Sequence, residues 1–206
     1  MRKVSYAVVL LLGLSTVLTS CNKEDFGSGS QKASGKENGH AYVDLGLPSG
    51  TLWATCNVGA SSPEGFGDYY AWGETESKSN YSEETYHWPN YSLDNDVAHV
   101  KWGGKWRIPT VEECEELIAQ CVFEEVFEGN TKGARFKSSN GKSIFLPTAG
   151  EYEETSLSGV GYRGLYRTSS EWEAAVYALY FESGIVGVLG WGDYIKGYSV
   201  RPVFNK

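Results

Sequence analysis

The chain has 206 residues, with 26 Asp and Glu against 18 Lys and Arg, a net charge of −8. Such a surface repels phosphate backbones and excludes nucleic acid as a partner. Seven Trp, 14 Tyr and 25 Gly against a single Met suit a loop-rich, β-containing exported domain rather than a helical bundle.

Arg2 and Lys3 precede an uncharged apolar run from Tyr6 to Leu18, which is too short to span a bilayer. Leu18-Thr19-Ser20-Cys21 then has the order of a lipobox: a branched apolar residue, two small ones, and a thiol to accept diacylglycerol. Residues 1–20 therefore read as a lipoprotein signal peptide and Cys21 as the lipidated residue. Acyl chains hold a protein to a membrane through about 0.8 kcal/mol per buried methylene, so contact with the membrane is expected through the anchor only. Removal of Arg2 and Lys3 with the signal leaves 16 basic against 26 acidic residues, or about −10.

Residues 21–40 are rich in Ser, Gly, Lys, Glu and Asn and read as a lipid-anchored flexible tether. Within it, Asn22-Lys23-Glu24-Asp25 resembles the lysine-plus-acidic signal that sends Bacteroidetes lipoproteins to the outer face of the outer membrane, which implies cell-surface exposure. The remaining residues 41–206 make one domain with no strong internal repeat. Acylation of Cys21 leaves Cys56, Cys114 and Cys121. Cys114 falls on the apolar stripe of a helix, and Cys56 with Cys121 is the candidate disulfide.

Along the domain, Tyr42 to Leu47 and Leu52 to Cys56 read as strands around the turn Pro48-Ser49-Gly50, and Asp68 to Gly73 as another extended segment. Glu74 to Asn95 is polar with scattered Tyr and Trp88, a long surface excursion, and Asp96 starts a short helix. Thr110 and Glu113 form a capping box, and Val111, Cys114, Leu117, Ile118 and Cys121 share one helical face; the Glu residues 112, 113, 115 and 116 read as its solvated side. Asn140-Gly141 lies between strands 134–137 and 143–146, and Glu182-Ser183-Gly184 between strands 176–181 and 184–189. Tyr198 to Val203 closes the chain as a last strand. One clear helix with many short strands gives an α+β class.

Five blocks in order resemble the Fibrobacter succinogenes major paralogous domain of Bacteroidetes surface lipoproteins. They are Tyr42 to Ala54 (YVDLGLPSGTLWA), Gly67 to Glu74 (GDYYAWGE), Trp102 to Thr110 (WGGKWRIPT), Ile144 to Gly150 (IFLPTAG) and Gly197 to Val203 (GYSVRPV). The resemblance implies a C-type-lectin-like α+β domain with short antiparallel strands, one capped helix and long loops, related to formylglycine-generating enzymes, and a role in binding or adhesion. The chain departs from the pattern at Tyr166 to Ser170, where Arg167 stands in place of the usual Trp. Some relatives of that fold are diversified in a C-terminal segment by retroelements, which would correspond to residues 165–195 here.

No catalytic constellation emerges. Gly159-x-Gly161-x-x-Gly164 leads into strand-like Leu165 to Arg167 and not into a helix, so it is no dinucleotide site. His40, His87 and His99 are scattered, and no cysteine follows Cys121, whereas formylglycine-generating enzymes depend on a reactive pair near the C-terminal end. Asp94, Asn95 and Asp96 offer oxygen ligands that calcium would accept, but a turn and a helix N-cap explain them more simply, so no cofactor is expected. Trp53, Trp72, Trp102 and Trp106 read as core. Trp172 between glutamates and Trp191 between glycines read as exposed; with Glu171, Glu173, Asp193 and Tyr194 they form the expected ligand face, for an extracellular glycan or protein. The expectation is a non-enzymatic, surface-displayed lipoprotein that binds its ligand through the loops of its C-terminal third, with an adhesin role. An enzyme of the formylglycine-generating fold group, or a structural subunit of a surface fimbria or complex, is the alternative.

Overall fold

The first strand falls where the sequence suggests tether. The computed structural model describes residues 31–172 and 175–206, so the signal peptide, Cys21, the tether as far as residue 30, and Glu173 lie outside the described residues. Strand β1 (Gly35–Glu37) pairs with β2 (His40–Val43), and β3 (Thr51–Ala54) follows. His40 stacks on Trp102 at 3.8 Å, and the Trp106 indole donates to the Glu37 carbonyl at 2.9 Å. These contacts tie residues 35–40 to the folded body. The polar residues 74–95 contain two 3-10 turns and lead to α1 (Val97–Trp102), capped by Asp96.

Helix α2 (Val111–Gln120) starts on the capping box the sequence announces: the Thr110 hydroxyl accepts from the Glu113 amide, and the Glu113 carboxylate accepts from the Thr110 amide. At Gln120 the pattern changes. Cys121-Val-Phe-Glu-Glu-Val-Phe-Glu is rich in β-branched and aromatic residues, and it becomes β4 (Cys121–Glu128). Strands β5 (Thr131–Ser138) and β6 (Ser143–Pro147) form the Asn140-Gly141 hairpin. A small pair, β7 (Glu151–Glu153) and β8 (Ser156–Ser158), leads to β9 (Arg163–Trp172), β10 (Ala175–Glu182) and β11 (Ile185–Gly192). The chain ends in β12 (Val203–Asn205); Tyr198 and Ser199 make only isolated bridges to Tyr70 and Tyr166.

The sheets have orders β1-β2-β3-β12, β11-β10-β9, β4-β5-β6 and β7-β8, and every paired strand is antiparallel. Among the described residues, strands hold 43% and helices 13%, with only two α-helices. The α+β class, and the lectin-like α+β architecture implied by the resemblance, are thereby corrected to a β-rich fold. The helix signal at Thr110 is genuine but accounts for ten residues, while β4, β9, β10 and β11 run longer than the short strands expected.

The larger core joins α2 (Cys114, Leu117) to β5 and β6 (Phe136, Ile144, Leu146) and to β9 and β10 (Tyr166, Leu179, Phe181). A second core gathers α1, Trp106, Ile108 and Phe204 on the other side of β3. Trp53, Trp72, Trp102 and Trp106 are all buried, as the sequence suggests. Glu113 is not on a solvated face: it is 8% exposed and is held by both Arg107 Nη atoms at 2.6 and 2.7 Å and by the Thr51 hydroxyl at 2.9 Å. The Cys56–Cys121 bond is not formed, and Cys56, Cys114 and Cys121 are free thiols. Cys121 heads β4 opposite Ser138 and packs on the larger core, whereas Cys56 follows β3 beside Thr55.

Candidate ligand-binding site

The residues expected to form one ligand face divide. Glu171 and Trp172 end strand β9 and are exposed, Trp172 at 58%; Trp191 lies in β11. Asp193 is partly buried and its carboxylate accepts from the Ile195 amide at 2.8 Å. Tyr194 is a correction. It is 5% exposed and lies in a cluster with Trp72 and Val176, with its hydroxyl donating to the Ala175 carbonyl at 3.0 Å. Alternation along β9 sends neighbouring side chains to opposite faces, so Glu171 and Trp172 do not share a surface.

What Glu171 does share is a cleft of about 360 Å³ with Trp88, Pro89, Asn90 and Tyr91. The surface excursion supplies four of these five residues. Trp88 is 62% exposed. Its ring lies 4.2 Å from that of Tyr194 at 37°, and the edge of Tyr86 approaches it at 5.9 Å. Below them Trp72 contacts both Tyr194, at 5.3 Å, and Tyr91, at 5.2 Å. The buried Tyr194 thus supports one side of an indole whose remaining surface is largely open.

The excursion is held by a local repeat that composition alone does not reveal. Asn80-Tyr81-Ser82 and Asn90-Tyr91-Ser92 each open a capped 3-10 turn, Glu83–Thr85 and Leu93–Asn95. In the first, Thr85 Oγ1 accepts from the Ser82 amide and donates to the Asn80 carbonyl at 2.7 Å. In the second, Asn95 does the same, accepting from the Ser92 amide and donating to the Asn90 carbonyl, both at 2.7 Å. Each tyrosine hydroxyl is tied down as well, Tyr81 to the Tyr69 carbonyl and Tyr91 to the Asp96 carboxylate. Trp88 sits between the two turns. Pro89 lies against Gly73 where a Cβ would meet its ring at 2.3 Å, so the loop closes on a position that only glycine accommodates.

Asp96 connects this loop to the core. It is fully buried; Oδ1 accepts from the Ala98 and His99 amides, and Oδ2 from the Ile108 amide and the Tyr91 hydroxyl. Burial raises the Tyr91 phenol far above its ordinary pKa, and the Asp96 charge adds to that, so it is a neutral donor throughout the physiological range. Of the residues weighed for calcium, Asn95 and Asp96 spend their side chains on these bonds, and Asp94 lines a second cavity. Among the described residues, no group of three or more His, Cys, Asp or Glu side chains gathers in a metal-binding arrangement.

That second cavity, of about 440 Å³, is lined by residues 73–78 with Thr85, His87, Pro89, Asp94 and Asn95. Pro89 is common to both cavities. A third, more acidic hollow lies between residues 81–84 and 193–196.

Arg167, the departure from the resemblance, lies beneath this surface and does not face it. It is 1% exposed and donates to the carbonyls of Tyr70, Asp193, Tyr194 and Lys196. It positions the segment that carries Tyr194, and through it Trp88. Among the described residues no helix is long and apolar enough to cross a membrane.

Compared with family models, curated proteins and solved structures, the chain matches none.

Proposed function

We propose that the chain is a non-enzymatic lipoprotein, anchored through Cys21 in the outer membrane and displayed on the cell surface, where the Trp88 cleft binds an extracellular ligand. The observation that carries this reading is the Trp88 indole, 62% exposed yet backed by Tyr194 at 4.2 Å and facing a cleft that Glu171 also lines. Exposing a large aromatic surface is unfavourable in water, and holding it rigid lowers the entropy lost when a partner covers it. Trp and Tyr are the side chains that most often dominate binding surfaces. The lipobox and the acidic tetrapeptide after Cys21 support surface display, and the five sequence blocks support a binding role.

Whole cells and immobilised glycans and proteins, probed with the wild-type chain and with Trp88→Ala, test the proposal. The variant is expected to lose at least about tenfold in affinity, the equivalent of about 1.4 kcal/mol. Equal binding by the two proteins would remove the cleft from the function. Acyl labelling of cells expressing Cys21→Ser tests the anchor separately; retained label would refute it.

A further inference from the structure

We infer that the Trp88 cleft takes an uncharged oligosaccharide of at least two sugar units, one stacked on Trp88 and the next lying past Pro89 in the adjoining cavity. This rests on the cleft being the binding site, as proposed above.

The indole presents one broad open surface, with the Tyr194 ring closing off part of the other side. The C–H-bearing face of a pyranose is flat and weakly positive, and it complements the negative face of an aromatic ring. A sugar so placed needs hydrogen-bonding groups around its rim. Glu171 supplies a carboxylate, an acceptor for hydroxyl groups, and exposed Asn90 supplies an amide that both donates and accepts.

The second cavity gives the ligand its length. It shares the Pro89 wall with the first and adds His87, Asp94 and Asn95 along its lining. One sugar unit would leave it unused. A chain crossing Pro89 fills both without movement of the loop, which the two capped turns and the Gly73–Pro89 contact hold in place.

The charge pattern decides what kind of chain. Glu171 lines the first cavity, and Glu74, Glu76 and Asp94 line the second. Lys78 is the one lysine or arginine lining either cavity, and it is already committed to Glu74 at 2.7 Å and to the Thr85 carbonyl at 3.0 Å, while Lys101 reaches in from outside the lining to pair with Glu76 at 2.6 Å. A uronate, sulfate or sialate would therefore meet the carboxylates of Glu171 and Asp94, which pair with no lysine or arginine among the described residues, while Lys78 and Lys101 are both already engaged. A quaternary ammonium satisfies the charge but prefers several aromatic faces around it. Here Trp88 alone is broadly open, and half-buried Tyr91 spends its hydroxyl on Asp96.

The test is calorimetry and tryptophan fluorescence on the full chain. The probes are gluco-, xylo-, manno- and N-acetylglucosamine oligosaccharides of one to six units, with oligogalacturonate and tetramethylammonium chloride as charged probes. At least one neutral series is expected to bind with a fluorescence change, and to gain tenfold or more between one unit and three. Trp88→Ala, checked for unchanged circular dichroism, is expected to abolish it. His87→Ala is expected to weaken hexasaccharide binding at least threefold while sparing the monosaccharide. Affinity independent of chain length, equal binding of oligogalacturonate, or capture of tetramethylammonium in place of sugar would overturn the inference. So would the absence of any neutral saccharide binding while Trp88-dependent binding to cells or proteins persists; that result would leave the proposed binding site standing. Cell binding indifferent to Trp88→Ala would remove both.

Discussion

The guanidinium of Arg167 lies 4.0 Å from the centre of the Tyr198 ring and, among the described residues, has no carboxylate partner. Burial pulls its pKa down to about 10, which leaves it charged at neutral pH. The charge is balanced instead by the ring face and by carbonyl dipoles from Tyr70 and the 193–196 segment. The Asp193 and Lys196 carbonyls have no other donor among the described residues. Arg167→Leu orphans both, at about 1–3 kcal/mol each. Urea unfolding is expected to show a loss of about 2–5 kcal/mol, and Arg167→Lys recovers little of it because one ammonium lacks the planar fork that reaches both sides. A loss below 1 kcal/mol for the leucine variant would show that this segment holds itself.

Glu113 gives the fold an acid-sensitive clasp. Burial acts to raise its carboxyl, but hydrogen bonds from Arg107, Thr110 and Thr51, with the Arg107 charge, outweigh burial and hold it below its ordinary 4.5. A depressed carboxyl stabilises the fold fully above its unfolded value and loses that contribution as pH falls through the folded one. Glu128 has the opposite sign: burial raises it against the pull of Arg135. The informative quantity is therefore the stability difference between wild type and Glu113→Gln. It is expected to be about 1–3 kcal/mol at pH 7 and to shrink steadily below about pH 4.5. A difference that does not change with pH would mean the carboxylate contributes shape and not charge.

Local chemistry was legible where short-range rules decide it. The Thr110–Glu113 capping box, the Asn140-Gly141 hairpin and the Glu182-Ser183-Gly184 hairpin all stand where the residues place them. Beyond such signals the sequence misleads. Cys121 continues the apolar face of α2, so it reads as helix, yet it opens β4 because pairing with β5 along eight positions outweighs one more helical turn. Tyr194 looks like a loop aromatic but is buried, whereas Trp88, in a polar stretch with no periodicity, is exposed against it. Which aromatic is supported and which does the supporting depends on the approach of residues 86–91 to residues 193–194, about a hundred positions apart, and no local pattern records that.

The glycine string from Gly159 to Gly164 illustrates the same division and carries its own prediction. It leads into a strand, β9, as its sequence context suggests. Gly159 and Gly161 turn the chain at positive φ, while Gly164 is glycine for a different reason: a Cβ there would meet the Phe181 ring at 2.1 Å. Phe181 is fully buried in the larger core and has nowhere to go. Gly164→Ala is expected to cost about 1–3 kcal/mol through overpacking. Gly161→Ala meets no atom within 4 Å and is expected to cost about 1 kcal/mol through backbone strain alone. Thermal melting of the two variants separates the causes. Phe181→Leu should rescue Gly164→Ala but not Gly161→Ala, and rescue of neither would point away from a clash.

Trp88, Tyr194 and Trp172 separate presentation from support. Trp88→Ala removes an exposed ring and is expected to change stability by less than about 0.5 kcal/mol while removing binding. Tyr194→Ala empties a buried site and is expected to cost about 3–5 kcal/mol and weaken binding by releasing the indole. Tyr194→Phe keeps the ring beneath Trp88 and loses only the bond to the Ala175 carbonyl, at about 0.5–1.5 kcal/mol, so binding should survive. Trp172→Ala alters neither, because that residue does not line the cleft. Melting temperatures and ligand titrations on the four variants decide the assignment. Should Trp172→Ala weaken binding as much as Trp88→Ala, the ligand face belongs at the end of β9 and Trp88 is a bystander.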